Sequence, residues 1–243
     1  MLYISMSGLK QILQAQTANS HNLANVSTPG FKADLQAFKD VQVYGDGYAS
    51  RSYTEASATG MDHSAGAIIS TGNDLDIAIK GEGYLAVQAS DGREAYSRAG
   101  NLHISTNGIL LDSSNHPVLG NGGPISIPPA QKMEIGVDGT ISIIPLGAEA
   151  SSLAVVDRIK LVNPEKKQLV KGEDGLLNVK DGNAADTDAS VRIVQGAVEG
   201  SNVNVVDAMV NMINLARTFE MQSKVMQTSK ENDARSSKIL SLN

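Results

Sequence analysis

From Val203 to Asn243 the chain contains neither Gly nor Pro. The two residues that most readily stop a helix are missing, so the run can continue as one helix. Val205, Met212, Phe219, Met226 and Leu240 fall on one seven-residue row, interrupted by Asp233. Ala208, Leu215, Gln222, Ser229 and Ser236 fall on the companion row, and Met209, Ile213 and Ala216 widen the apolar face in the first half. At about 1.5 Å per residue such a helix reaches ~55 Å, far beyond an ordinary globular helix. Its second half is polar on both rows, so it cannot bury deeply in a single small core.

The other end predicts a partner for it. Between Leu2 and Val26 there is no Pro and a single Gly, Gly8. Leu2, Leu9, Gln16 and Leu23 form one weak heptad row, and Ser5, Ile12, Asn19 and Val26 form the next. An amphipathic helix is predicted over about residues 3–26. Neither terminal helix can hide its stripe alone. The simplest solution packs the two as an antiparallel coiled-coil-like pair.

The middle has a β texture. Alternation appears at Leu75/Ile77/Ile79, Leu102/Ile104, Ile125/Ile127, Met133/Ile135/Val137, Ile159/Leu161 and Val191/Ile193. Between these runs lie Asp91-Gly92, Asn107-Gly108, Asp138-Gly139, Asp174-Gly175 and Asp181-Gly182. Such dipeptides predict two-residue type I′ hairpins, which need positive φ at both central positions. The expected class is α+β, with a mostly antiparallel β domain inserted between the helices. The expected organisation is a helix and turn over 1–33, an extended connector over 34–65, a β-rich domain over 66–200 and the C-terminal helix over 201–243.

The stretch His21–Leu35, HNLANVSTPGFKADL, is a defined stop between the first helix and the connector. Asn22 and Asn25 tolerate the left-handed region and suit a helix C-terminus. Thr28-Pro29-Gly30 fits a type II turn, with Pro second and a positive φ at Gly30. Phe31 then opens an extended run. Phe31-Lys-Ala-Asp-Leu35 also has the Phe-x-x-x-apolar form of a secretion motif, but that pattern is common by chance and a strand start is the better reading.

Catalytic and cofactor chemistry finds little support. There is no Cys, which excludes thiolate metal sites, disulfides and Cys nucleophiles. The four His are scattered, so no metal site is expected. Asp74 and Asp76 could be a glycosidase pair, but turn capping or a solvent-facing role is the better reading. The segments around Gly81 and Gly120 lack a phosphate-loop pattern. A formal net charge of −6 argues against nucleic acid. No apolar run approaches the ~18 residues of a membrane span, so no direct membrane insertion is expected. The N-terminus shows no basic region followed by an apolar core, so no cleaved secretory signal is visible. Arg217 and Glu220, at i and i+3, set subunit register or form an ordinary solvated pair.

Four ordered stretches carry a family resemblance. NLANVSTPGF resembles an Asn-x-x-Asn-x-x-Thr-x-Gly-Phe signature through Asn22, Asn25, Thr28, Gly30 and Phe31. TGNDLDIAIKGEGYLAV resembles a second motif through Gly72, Asn73, Leu75, Asp76, Gly81, Gly83 and Tyr84. YSRAGNLHISTNGIL resembles a third through Tyr96, Arg98, Gly100 and Gly108. EGSNVNVVDAMVNMINLARTFEMQ resembles a fourth through Glu199, Asn202, Arg217 and Glu220. All four are motifs of the bacterial flagellar rod and hook axial proteins, and the details resemble a proximal-rod member more than a distal-rod or hook-type one.

This resemblance implies a structural subunit with no enzymatic activity and no cofactor. It implies a rod within the periplasm that transmits torque from motor to hook. The implied partners are copies of itself, other rod proteins and, during secretion, the flagellar export gate, which requires no cleaved signal. Leu2, Leu9, Ile12, Leu23, Val205, Met212, Leu215, Phe219 and Met226 are the expected assembly interface. Two other readings fit the sequence less well. A rod-associated peptidoglycan hydrolase lacks a convincing buried acid, and a soluble coiled-coil adaptor leaves the β middle unexplained.

Overall fold

A computed structural model describes residues 2–42, 52–147, 153–172 and 174–240. Two α-helices, α1 (Leu2–Ala24) and α2 (Val205–Leu240), stand first and last in chain order, with a series of short strands between them in sequence. Every strand pairing among the described residues is antiparallel. The class is therefore α+β. No helix among the described residues is long and apolar enough to cross a membrane.

The chain divides into two compact units. The first comprises Met1–Val26, Ala33–Asp62 and Val203–Asn243. It holds both helices and a two-stranded ribbon. Strand Asp34–Gln42 runs against Ser52–Met61, in register from Asp34↔Met61 to Gln42↔Ser52 with a bulge between Leu35 and Ala37. The ribbon lies in the stretch expected to be an extended connector; its residues 43–51 are outside the described ones.

The helix boundaries have local causes. The Asn204 Oδ1 accepts from the backbone N–H groups of Val206 (3.0 Å) and Asp207 (3.4 Å), which caps the start of α2. Asp207 in the first turn complements the helix dipole. At the end of α1, Asn25 donates its side-chain amide to His21 O at 2.9 Å. Asn115 is the one non-glycine residue with positive φ among those described, so Asn22 and Asn25 do not act through left-handed geometry. They act through their amides. Asn22 donates to Asp34 O (3.0 Å) and accepts from Asp34 N (2.8 Å), a two-point bracket that fixes where the ribbon begins.

The second unit comprises Ser27–Lys32 and His63–Asn202. A five-stranded sheet runs in the order Leu161–Val162, Tyr84–Gln88, Glu94–Ser97, Leu177–Val179, Leu169–Lys171. A three-stranded sheet, Ala130–Ile135, Thr140–Pro145 and Ala154–Arg158, and several two-stranded pairs complete it. Its core cluster is aliphatic throughout: Ile77, Leu85, Val87, Leu110, Ile125, Ile141, Ile159 and Ile193 are all 1% exposed or less. Each such side chain contributes about 1.5–3 kcal/mol by leaving water. The scarcity of aromatic residues is thus met by branched aliphatics.

Three local expectations need correction. The Asp-Gly and Asn-Gly turns are not type I′. Gly92, Gly108, Gly139, Gly175 and Gly182 have positive φ, but the Asp or Asn before each does not. Four of them share one pattern, seen where Gly92 N donates to Ala89 O and Ala89 N donates to Arg93 O. This is a type I turn followed by a left-handed residue, the three-residue hairpin. The Asp contributes differently: its carboxylate accepts from the N–H two residues on, as Asp138 does from Thr140 (3.2 Å) and Asp174 from Leu176 (3.1 Å).

Two alternations also break. Leu102 is buried but Ile104 is 40% exposed, because the strand there is only His103–Ile104. Met133 and Ile135 are buried, while Val137 is 67% exposed. Gly136 already starts the turn, with Gly139 N donating to its carbonyl.

Candidate functional site

The turn after α1 forms as Phe31 N donates to Thr28 O at 3.3 Å, with Gly30 at φ +72°. A side chain at Gly30 faces a second obstacle besides the backbone angle. A Cβ there would lie 2.3 Å from Ala99 N and from the Arg98 carbonyl carbon. The segment is held in place by residues from the far end of the same unit. Gly30 N donates to Glu199 O at 2.7 Å, and Asn202 N donates to Phe31 O at 3.3 Å. The Phe31 ring lies under the Lys171 ammonium, 4.3 Å from its centroid.

Beneath this turn sits a cluster of buried charges. Lys32, Arg98 and Glu199 are 4%, 7% and 1% exposed. Glu199 Oε1 accepts from Lys32 Nζ at 2.6 Å and from Gly66 N at 2.9 Å. Its Oε2 accepts from Arg98 Nη1 at 2.6 Å. Lys32 also donates to Ser64 O at 2.6 Å. The Arg98 guanidinium donates from Nε to Gly83 O at 2.9 Å and from Nη2 to Gly81 O, and it lies over the Tyr84 ring. Burial pushes the Tyr84 hydroxyl pKa up, with the Arg98 charge partly opposing it. Tyr84 OH and His63 Nδ1 lie 3.0 Å apart. Charge-assisted bonds of this length are the strong kind, and burial makes each member costly to remove.

The cluster can bind chain segments together but offers no reactive centre. Its carboxylate is saturated by cations and an N–H. Among the described residues no group of His, Asp and Glu could hold a metal ion.

The second motif closes another turn. Asp76, buried at 8% exposure, accepts from Thr71 Oγ1 (2.6 Å) and Asn73 Nδ2 (3.1 Å). Leu75 N donates to Asn73 Oδ1 at 3.3 Å, and Gly72 N donates to Gly196 O at 3.1 Å. Asp74 has no part in this network, and its carbonyl accepts from Gln195 Nε2 at 2.7 Å. Asp76 is therefore a turn cap. Gly81 is joined to the charged cluster through its carbonyl, whereas Gly72, Asn73, Leu75 and Asp76 form their own turn.

In the helical unit, Asn19 Nδ2 donates to Ala208 O at 2.8 Å, and Gly8 lies against the Gln222 side chain. Ala18 and Ala208 are buried. Along α2, Met212, Leu215, Phe219, Gln222, Met226 and Ser229 are half-buried. Leu9, Ile12 and Leu23 are half-buried on α1, while Val205 is exposed. The side chain of Leu2 lies outside the described ones. Arg217 and Glu220 are exposed. A second row on α2, Val206, Met209, Val210, Ile213, Met221 and Val225, is 51–67% exposed.

Comparison with known proteins covers both units. The profile described as flagella basal body rod protein matches residues 2–32. The flagellar hook protein FlgE/F/G D1 domain matches 78–143, and the flagellar basal body rod FlgEFG protein C-terminal region matches 194–239. Lys32, Arg98 and Glu199 come one from each of these matched segments. Glu199 opens the fourth motif and Lys32 follows the first, but nothing in the sequence pointed to their meeting. The signal available was a charged residue within or beside three separate motifs.

The flagellar basal-body rod protein FlgF of Salmonella typhimurium is 40% identical over 99% of this chain and 98% of its own length. FlgF of Escherichia coli is 38% identical over the same shares. The flagellar basal-body rod protein FlgG of Bacillus subtilis is 31% identical over 95% of each chain. With this identity along nearly its whole length, the chain belongs to the flagellar basal-body rod protein family and is a structural subunit, not an enzyme.

Proposed function

We propose that the chain polymerises with copies of itself and with other rod proteins into the helical shaft that carries torque from motor to hook. In this reading α1 and α2 pair as an antiparallel coiled-coil-like inner layer, and the β unit stands outside it. The contacts of Asn19 with Ala208 and of Gly8 with Gln222 support the antiparallel sense. Leu9, Ile12, Leu23, Met212, Leu215, Phe219 and Met226 supply the seam, and Arg217 with Glu220 helps to set register between neighbours. The rod stands in the periplasm, reached through the flagellar export gate.

One observation carries the proposal. The row Val206, Met209, Val210, Ile213, Met221, Val225 leaves large apolar side chains in water along several turns of α2. Large apolar side chains exposed on successive turns, interrupted at Arg217, mark a surface that another chain covers. Site-specific photocrosslinkers at Val210 and Met221, placed in cells that build basal bodies, test it. Crosslinks to rod proteins are expected at both positions. Crosslinks to no rod protein, in basal bodies that contain the labelled chain, would refute the reading.

A further inference from the structure

The β unit carries two Asn-Gly dipeptides, Asn107-Gly108 and Asn121-Gly122, and the chain has no others. Both asparagines are exposed, and both pairs stand at hairpin turns. Asn is a chemically labile residue, and a following Gly makes it more so. Gly has no side chain to shield its backbone nitrogen, which can therefore approach the carboxamide carbon of the Asn before it. Whether it does so depends on how freely that nitrogen and its peptide plane can turn. The fold treats the two pairs differently.

Gly108 is held on both sides. Its N–H donates to Ser105 O at 2.9 Å, and its carbonyl accepts from Ile127 N at 2.7 Å. Ser105 Oγ accepts from Asn107 N (3.3 Å) and Ile109 N (3.2 Å), which closes the turn around the pair. A Cβ at Gly108 would lie 2.9 Å from Ile127 O, so neighbouring backbone packs directly against it. Asn121-Gly122 has none of this. The two residues are the whole loop between Leu119–Gly120 and Gly123–Pro124, which pair as Gly123↔Gly120 and Pro124↔Leu119. Among the described residues no hydrogen bond engages Gly122 N or the Asn121 carboxamide. Gly122 is exposed, and an added Cβ would meet nothing within 4 Å.

We propose that Asn121 is a site of spontaneous covalent modification, deamidating through a cyclic imide, and that Asn107 is protected from the same chemistry by its turn. Gly122 N loses its proton to hydroxide and attacks Asn121 Cγ. The N–Cγ bond forms as the Cγ–Nδ2 bond breaks, and Nδ2 leaves as ammonia after taking a proton from water. Water then opens the imide. Breaking the N–Cγ bond gives Asp. Breaking the bond from that nitrogen to the main-chain carbonyl carbon of residue 121 gives isoaspartate, whose backbone runs through the former side chain. Overall, water is consumed and ammonia released, with no oxidant or reductant. At Gly108 the same attack must first break the bond to Ser105 O. Either product places a carboxylate on the loop. Isoaspartate also lengthens a two-residue loop whose neighbour Gly120 is buried and bridged to Ile159.

The full-length chain, incubated in mildly alkaline buffer and digested at intervals, tests this. Fragment-ion mass spectrometry assigns the amide-to-acid mass gain to each Asn, and a methyltransferase specific for isoaspartate reports the altered linkage. A parallel incubation in urea supplies the rate of each site in the unfolded chain, which removes the effect of differing sequence neighbours. Folding is expected to slow Asn107 by about tenfold or more, because its turn must open first. Asn121 should keep its unfolded-chain rate to within about threefold. Asn121→Gln, which would have to close a larger ring, should abolish modification of that loop and leave the Asn107 rate unchanged. Equal slowing of both sites on folding would overturn the proposal, because the Asn121 loop would then be as closed as the Ser105 turn. Faster loss at Asn107 than at Asn121 in the folded chain would overturn it as well, as would isoaspartate labelling that persists at the parent level in the Asn121→Gln chain.

Discussion

Lys32 Nζ lies 2.6 Å from Glu199 Oε1, and the two side chains are 4% and 1% exposed. Arg98 reaches the other oxygen of the same carboxylate at the same distance. One anion therefore holds two cations in the interior of the β unit. This asymmetry dictates how the three residues respond to substitution. Glu199→Ala removes the carboxylate that Lys32 and Arg98 share and is expected to destabilise the β unit by about 3–5 kcal/mol. Lys32→Met leaves a neutral pair and should cost clearly less. Arg98→Met falls nearer to Glu199→Ala, because the Gly81 and Gly83 carbonyls lose a donor too. Urea unfolding followed by circular dichroism measures all three. Equal losses would show that the cluster does not behave as one anion shared by two cations.

Gly30→Ala and Gly92→Ala separate two effects that usually travel together. Both glycines have positive φ, +72° and +83°. At Gly92 an added Cβ meets nothing within 4 Å, whereas at Gly30 it meets the Arg98–Ala99 backbone at 2.3 Å. Gly92→Ala should therefore cost only the left-handed penalty of about 1–2 kcal/mol. Gly30→Ala should cost more than that, because backbone cannot rotate out of the way as a side chain can. In cells, Gly30→Val is expected to reduce motility while the chain is still secreted, since an unfolded chain does not feel the turn. Comparing thermal midpoints of the two Ala variants tests the first statement, and assaying secreted protein beside swimming tests the second. Arrested secretion of Gly30→Val would instead make the stretch an export signal.

The two faces of α2 should respond differently to a carboxylate. Leu215 and Phe219 are half-buried in the single chain, whereas Val210 and Met221 are 51% and 62% exposed. Val210→Asp and Met221→Asp are expected to leave the purified monomer as stable as the parent, within about 0.5 kcal/mol. Both should still block incorporation into basal bodies. Leu215→Asp and Phe219→Asp should block incorporation and also loosen the helical unit, leaving the β unit folded. Normal swimming by the Val210 and Met221 variants would mean that this row is not covered by other chains.

Two groups contribute to the pH dependence of the β unit with opposite sign. The Thr140 hydroxyl, followed by its N–H, holds the Asp138 carboxyl below its ordinary 3.8. A lowered folded pKa gives stability that is complete above the unfolded value and fades as pH falls through the folded one. The Asp138 contribution should therefore disappear on acidification below about pH 4, and Asp138→Asn should flatten that limb. Burial pushes the Tyr96 hydroxyl up to about 12, against an opposing bond from Ala185 N and with a further push from Glu94. Here the sign reverses: the stability is complete below pH 10 and is lost as pH rises through about 12. Tyr96→Phe should reduce that alkaline dependence in denaturation midpoints taken across the range. A slope unchanged by Tyr96→Phe would assign it to other groups.

Much of this protein was legible in the chain. The run free of Gly and Pro after Val203 announced α2, and Asn204 just before Val205 provides its cap. The Asp-Gly pairs marked the turns, and the four motifs marked the family. All of these are local signals, expressed over a few residues or one helical period, so no knowledge of distant contacts is needed to read them. Even so, the hairpin type escaped. Asp91 and Asp138 suit type I′ as free dipeptides, and only the bonds of the paired strands, such as Gly136 N to Thr140 O, select the three-residue form.

The buried charge cluster was decided by tertiary structure alone. Nothing local in Lys32 or Glu199 says that either is buried, since lone charged residues in polar loops are ordinarily solvated. They leave water because the strand pairing of Ala197–Glu199 with Ile68–Ser70 carries the carboxylate to Arg98 and Lys32. The same holds for α2. Its periodicity marked apolar rows at Met212 and Phe219 and at Met209 and Ile213, but only the packed chain distinguishes the half-buried row from the exposed one. A sequence specifies backbone preference and periodicity directly. Which charge meets which, and which face is left for other chains, depends on long-range contacts that exist only after folding.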